Sequence, residues 1–451
     1  MAEAFRVERD TMGEMRVPAD ALYGAQTARA AENFPISGLR FQRPFIRALA
    51  LIKSAAARVN GEQGHLPPER AAAIERAAEE VLAGAHDAQF VVGVFQTGSG
   101  TSTNMNANEV IGRLAGAHPN DDVNRGQSSN DVIPSAMHIA AAESVARDLF
   151  PAMDRLHQSL ANKAREFADV LKIGRTHLQD AVPMRLGQEF SGYARQVAAA
   201  RERIEAALAG IYELALGGTA VGTGLNADPG FARAVIGEIA RRTELPFVEA
   251  RNHFEAQAAK DAVVFLSGAL RAYAVALTKI ANDIRWLGSG PRCGLGELRL
   301  PAVQPGSSIM PGKVNPVIAE SVLMVCAQVI GYDATIAWSG AAGNFELNVM
   351  MPVMAYDVLE SIALLAAGSR NFAERLVESL EADGERAGAF VEQSLAMGTA
   401  LAPEIGYDKA AALVKEAYRT GKTVREVARE KSGIPEERLQ ELLDPARQAG
   451  D

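Results

Sequence analysis

Apolar side chains recur at three- and four-residue steps through most of the chain beyond residue 140. Val145, Leu149, Met153, Leu156, Leu160, Ala164 and Phe167 make one such stripe from Glu143 onward, the period of an amphipathic helix. Pro151 interrupts it and lacks an N–H, which predicts a kink. The same reading predicts long helices over 186–216, 254–287, 317–339 and 353–376. The stretch 254–287 is apolar or small on most faces, so it has to be buried on several sides. Before residue 140 the pattern is mixed, with Gly, Pro and Asn between helical stretches such as 68–86. After Pro403, shorter helices are expected at 407–418, 424–431 and 436–443. These patterns predict an all-α protein in three parts: a mainly helical N-terminal domain over 1–140, a central bundle of long helices over 141–402 and a small helical domain over 403–451. The apolar helix surface exceeds what one bundle can hide. A closed symmetric oligomer is the natural place to bury it.

Composition narrows the partners. The chain has 451 residues, 48% hydrophobic, with a formal net charge of −9. Its basic residues are scattered among acidic ones, so no nucleic-acid partner is expected. The longest uninterrupted apolar run, 262–270, lies between Asp261 and Arg271 and is too short to span a bilayer; no membrane partner is expected. The first residues carry charge by Arg6 and no apolar signal core, so the expected compartment is the cytoplasm. Cys293 and Cys326 rule out a disulfide framework and are read as buried apolar residues. No spaced His/carboxylate set predicts a metal, and no dinucleotide fingerprint or other cofactor motif stands out.

The candidate chemistry gathers in a few runs. Gly306-Ser307-Ser308-Ile309-Met310-Pro311-Gly312-Lys313-Val314-Asn315-Pro316 joins two hydroxyls, backbone N–H groups and one cation ahead of a helix that Asn315 and Pro316 are placed to start. That set suits an anion gaining charge. Thr97-Gly98-Ser99-Gly100-Thr101-Ser102-Thr103-Asn104-Met105-Asn106 gathers hydroxyls and amides around two glycines, which fits carboxylate binding by neutral donors and equally fits a polar helix cap. Ser128, Ser129, Asn130 and Asp131 precede another helical stretch. His118-Pro119-Asn120-Asp121 reads as a turn, structural or anion-touching. His177, after Thr176 and near Arg175 and Asp180, is a candidate proton carrier, with Glu320 as a candidate partner that would raise its basicity.

These runs resemble the fumarase/aspartase superfamily over nearly the whole chain. Every fixed position of its signature loop, Gly-Ser-Ser-x-Met-Pro-x-Lys-x-Asn-Pro, is matched by 306–316. Within that superfamily Ser99, Ser128-Ser129-Asn130 and Gly343-Asn344-Phe345-Glu346-Leu347-Asn348 look like the class II fumarase branch, with aspartate ammonia-lyase as the alternative. The resemblance implies a homotetramer with a central helical bundle and active sites shared between subunits. It implies reversible hydration of a small dicarboxylate, fumarate, through an aci-carboxylate. Ser307 is implied as the base, with His177 and Glu320 handling water. Ser99, Thr101, Ser128, Ser129, Asn130, Thr176, Ser308, Lys313 and Asn315 are implied to bind substrate. A second site at His118, Asn120 and Asp121 is implied too, with Arg113 as counterpart of a family arginine in a connection, 111–117, shorter than is typical.

Overall fold

The computed structural model describes residues 4–450. Helices dominate, as the apolar period predicts. A hairpin of β1 (Phe5–Asp10) and β2 (Gly13–Pro18) leads into α1 (Ala25–Asn33), α2 (Arg43–Glu62), α3 (Pro68–Ala83), α4 (Thr101–Ala115) and α5 (Ser129–Ser144). A π-helical turn, Val145–Leu149, joins α5 to α6 (Phe150–Glu166). A second hairpin, β3 (Leu171–Thr176) and β4 (Gln179–Arg185), precedes α7 (Leu186–Ile211), α8 (Phe231–Thr243), α9 (His253–Ala258), α10 (Asp261–Leu287), α11 (Val317–Gly340) and α12 (Met351–Arg375). The chain ends in α13 (Gly384–Gln393), α14 (Ala402–Ile405), α15 (Tyr407–Thr420), α16 (Val424–Lys431), α17 (Glu436–Leu442) and α18 (Pro445–Gln448). The fold class is therefore all-α.

By contacts the chain groups into two units. One comprises Met1–Pro151, Ala200–Ala274 and Cys326–Ala366, the other Ala152–Ala199, Val275–Val325 and Ala367–Asp451. The first is built on α2, whose Phe45, Leu49 and Ile52 are fully buried and which packs on α3, α5 and α8. Helix ends there are closed by chemistry visible in the sequence: Pro68 starts α3, and Gly84, at φ 93°, ends it. The start of α1 is closed differently. Gly24 offers no side chain, and the Glu109 carboxylate of α4 accepts the N–H groups of Gly24, Gln26 and Thr27 at 2.9, 3.0 and 3.1 Å. In the second unit Phe167, Phe190 and Tyr193 stack edge to face with centroids 5.2 and 5.3 Å apart. Val391, Leu401, Leu413, Val427 and Leu443 form a separate C-terminal core.

Several expectations need correction. The stripe from Val145 to Phe167 is buried as predicted except for the half-buried Ala164, but its helix begins at Ser129, and the proline is accommodated by the π turn just before it. The expected helix 186–216 stops at Ile211, because Glu213 and Leu214 pair in parallel with Val248 and Glu249. The expected helix 254–287 is two helices. Lys260 breaks it: its ammonium donates to the carbonyls of Ala256, Gln257 and Ala259 at 2.8, 2.9 and 2.8 Å, closing α9 before α10 starts. Cys326 is buried but Cys293 is exposed, since it lies in the irregular loop after α10. The bilayer argument from run length also fails as stated. The helices Asp261–Leu287, Val317–Gly340 and the stretch Met351–Ser379 are long and apolar enough to cross a membrane, because scattered charges interrupt a run without making a whole helix polar.

Candidate active site

The first unit holds a chain of hydroxyls at two helix starts. Gly100, at φ 73°, turns the backbone into α4, a conformation that favours glycine. Gly98 must also be glycine: a Cβ there would stand 1.8 Å from the Val349 carbonyl oxygen. The turn brings Ser99 Oγ to 2.7 Å from Thr101 Oγ1, and Thr101 Oγ1 to 2.7 Å from Ser129 Oγ at the first turn of α5. Three hydroxyls in line keep one proton free to donate outward. They lie where the helix dipoles favour negative charge. Ser128 is the N-cap of α5: its Oγ accepts the Asn130 N–H at 3.2 Å, while Asp131 Oδ1 accepts the Ser128 N–H at 2.9 Å, a reciprocal capping box. The Asn130 carboxamide donates to Ala220 O at 2.8 Å. The cap reading thus holds for the Ser128 run, whereas α4, whose N-cap is Gly100, has no side-chain cap.

The second unit holds the β3–β4 hairpin and the glycine-flanked loop. Thr176 ends β3, and His177 and Leu178 alone form the turn, at φ 57° and 60°. Two-residue turns of this hand favour Asn-Gly; a non-glycine residue in this region costs roughly 1–2 kcal/mol. Such strain persists only where its surroundings enforce it. Beside the turn, the Arg175 guanidinium donates to both Glu297 oxygens at 2.9 and 2.9 Å. Glu297 is fully buried. At the tip of this hairpin His177 is exposed.

The loop from Gly306 to Asn315 is closed at its base. The Gly306 N–H donates to Lys313 O at 2.8 Å, and Asn315 Nδ2 donates to Gly306 O at 2.6 Å. At the tip, Ser307 Oγ accepts two backbone N–H groups, from Ile309 at 3.2 Å and Met310 at 3.0 Å. Ser308 and Lys313 are exposed. Asn315 was expected to cap α11. Its amide is instead drawn back to Gly306 O, and Pro316 O accepts the first helical bond, from Glu320 N at 3.0 Å. Glu320 sits in the first turn of α11, and within one chain no hydrogen bond or ion pair joins it to His177. The expected pairing of these two is therefore not made inside a single copy.

His118, Asn120 and Asp121 form a separate place. His118 caps the π-helical turn Pro119–Val123, its Nδ1 accepting the Asp121 N–H at 3.1 Å. His118 and Asn120 line a surface cavity of about 740 Å³ together with Arg9, Arg113, Glu8 and Asp10. Asp121 is not in its lining. Arg113 is 3.1 Å from Glu8, so the arginine's charge there is already opposed. Among the described residues no group of three or more His, Cys, Asp or Glu is placed to hold a metal ion.

Two residues behind the hydroxyls had no role assigned from sequence. Asp131 Oδ2 accepts the N–H groups of Gly217 and Thr219 at 3.0 and 2.9 Å. Lys53 on α2 is fully buried and donates to Asn124 Oδ1 and Gln127 Oε1 at 3.0 and 2.9 Å. Burial, only partly opposed by the Asp131 charge, brings the Lys53 ammonium down to about 7. A lone lysine inside the run 48–57, otherwise apolar but for Ser54, was the available signal for it.

Comparison with known proteins sets this geometry in context. A lyase family model matches residues 13–331, and a model of the fumarase C C-terminus matches 398–447. A class II fumarate hydratase of Mycobacterium tuberculosis is 55% identical over 446 residues, covering 98% of this chain and 94% of that protein. The solved class II fumarase of Schistosoma mansoni matches with a TM-score of 0.97 at 41% identity, covering 99% of both chains. A fumarate lyase:delta crystallin structure from Brucella melitensis gives 0.95 at 46% identity, covering 99% of this chain and 100% of that one.

Proposed function

This chain belongs to the class II fumarate hydratase family of lyases, and we propose from its geometry how it hydrates fumarate to malate. Read in the dehydration direction, the hard step takes a proton from the carbon beside a carboxylate. The electron pair left behind gives that carboxylate a second negative charge. Ser307 takes the proton. One observation carries this assignment: its Oγ already accepts two backbone N–H bonds, the arrangement that stabilises an alkoxide. Lys313, exposed and without an ion pair among the described residues, supplies the cation for the doubly charged carboxylate. His177 gives a proton to the departing hydroxyl, and in hydration takes one from the attacking water. The Ser99–Thr101–Ser129 hydroxyls, with Asn130 and Thr176, hold the second carboxylate. Ser128 acts through its cap, and Asn315 by closing the loop. Glu320 partners His177 across copies.

The pieces come from different copies in a homotetramer. The apolar surface left on single-chain helices supports this: Met324 and Trp338 of α11 are 68% and 74% exposed. Charged contacts argue against lipid around these helices, since Asp333 of α11 takes bonds from Ser267 and Arg271 of α10, both at 2.7 Å. The relatives' chemistry does not favour the aspartate ammonia-lyase alternative. The test is fumarate absorbance with malate and, separately, aspartate as substrate. Malate alone should react, and Ser307→Ala should lower kcat by about 10²–10⁴. An unchanged kcat in that variant, or release of fumarate from aspartate only, overturns the reading.

A further inference from the structure

Lys53 and Asp131 touch neither the loop nor the hydroxyls, yet both grip the segment that delivers Ser129. Lys53 binds Asn124 and Gln127, which lie directly before the Ser128 cap. Asn124 Nδ2 donates to Gln127 O at 3.0 Å, and Asn104 and Asn108 of α4 both donate to Asn124 Oδ1 at 3.1 Å. The lysine therefore gathers the run into α5 and ties it to α4, which carries Thr101. Asp131 holds the other side. One oxygen takes the Ser128 N–H and the other takes Gly217 and Thr219, beside the Ala220 carbonyl that Asn130 binds. Thr219 sits at φ 52°, a strained conformation that Asp131's bond to its N–H helps to hold. Burial pushes the Asp131 carboxyl up, opposed first by its three backbone N–H bonds and last by the Lys53 charge.

We propose that Lys53 and Asp131 are positioning residues for substrate binding, two buried groups that fix Ser128, Ser129 and Asn130 from either side at the spacing a carboxylate requires. This rests on the proposed role of Ser129. The pair acts on a carboxylate that gains no charge in the reaction, so its contribution is equal in ground and transition states. It should then appear in KM and not in kcat. The pair differs in this from Ser307 and Lys313, which act on the carbon and carboxylate that change.

The experiment measures kcat and KM for fumarate in Lys53→Met, Ser129→Ala and the double variant, with the dissociation constant of succinate, a dicarboxylate that cannot react. Lys53→Met should raise KM and the succinate constant together, roughly tenfold, with kcat within threefold of the parent. The double variant should be no worse than the worse single one, because both act on one contact. A purely structural role would give multiplying effects and a fall in kcat. Gln127→Leu removes one Lys53 acceptor without stranding the buried charge, and gives the same split at smaller amplitude should Lys53→Met not fold. Unchanged KM in the Lys53 and Gln127 variants alongside a raised KM in Ser129→Ala overturns the inference alone. An unchanged KM in Ser129→Ala overturns the site reading beneath it.

Discussion

Gly306→Ala puts the closed loop to a direct test. A Cβ at this position would stand 2.4 Å from Lys313 O and 3.0 Å from Asn315 N. Both are backbone atoms at the loop's base, so no side-chain rotation relieves the clash and the base has to open. Opening removes two bonds, Gly306 N–H to Lys313 O and Asn315 Nδ2 to Gly306 O. At about 0.5–1.5 kcal/mol net for each, the closed form loses about 1–3 kcal/mol against open ones. With 1.4 kcal/mol for each factor of ten, turnover falls about 30-fold at the centre of that range. The loop is exposed and outside either core, so the melting temperature should move by no more than about 2 °C. Gly312→Ala is the control. It keeps the same loop, and nothing lies within 4 Å of the added Cβ; its cost is that of φ 80° alone, roughly 1 kcal/mol. Initial rates from fumarate absorbance, run beside thermal unfolding, decide the matter. A Gly306→Ala enzyme with parental kcat/KM, or one no slower than Gly312→Ala, refutes the reasoning.

Two further outcomes follow from buried charge. Arg175→Ala leaves the fully buried Glu297 without its bidentate partner, which should cost about 3–5 kcal/mol of stability in urea unfolding; a loss under 1 kcal/mol would contradict it. Burial, then the nearby Lys260 charge, brings the His138 imidazole down to about 4, and its Nδ1–H donates to Glu213 O at 2.9 Å. Between that value and 6.5 the unfolded chain binds a proton that the folded one does not, so stability falls as pH falls through this window. For this half-buried ring the fall is about 1–3 kcal/mol, and His138→Gln should flatten that part of the stability–pH curve. A variant keeping the full slope would show that other groups carry it.

The long helices were legible because a repeating apolar stripe is a property of the sequence itself. Val145, Leu149, Met153, Leu156 and Leu160 are buried as their spacing requires. Breaks made by a side chain turning onto the backbone were not. Nothing in the spacing of Lys260 says that its ammonium will close α9 on three carbonyls, nor that Asn315 will reach back nine residues to Gly306 instead of forward into α11. The site's residue types were readable as a set, because hydroxyls, amides and one lysine among glycines are uncommon together. Their division of labour was not. Ser128 was read as a ligand, and the structure also makes it a cap, while Asp131, three residues on, completes a capping box whose Ser-x-x-Asp spacing was in plain view. His177 was identifiable as a candidate proton carrier; that it would occupy a left-handed turn was not, since the usual Asn-Gly signal is missing.

A protein of net charge −9 that takes a dianion must keep its acids away from the ligand or neutralise them. Two buried acids behind the candidate groups are matched internally. Glu297 is held by Arg175, and Asp131 by three N–H groups and the field of Lys53. The surface offered at the start of α4 and α5 is then made of hydroxyls and helix-end N–H groups, which bind an anion without adding a full charge. Lys313, on the loop, is left as an uncompensated cation. In the proposed mechanism neutral donors hold the carboxylate whose charge is constant, and the cation meets the one whose charge doubles. Binding and acceleration are thereby assigned to different groups, which is why the KM of the Lys53 variant and the kcat of the Ser307 variant should move independently.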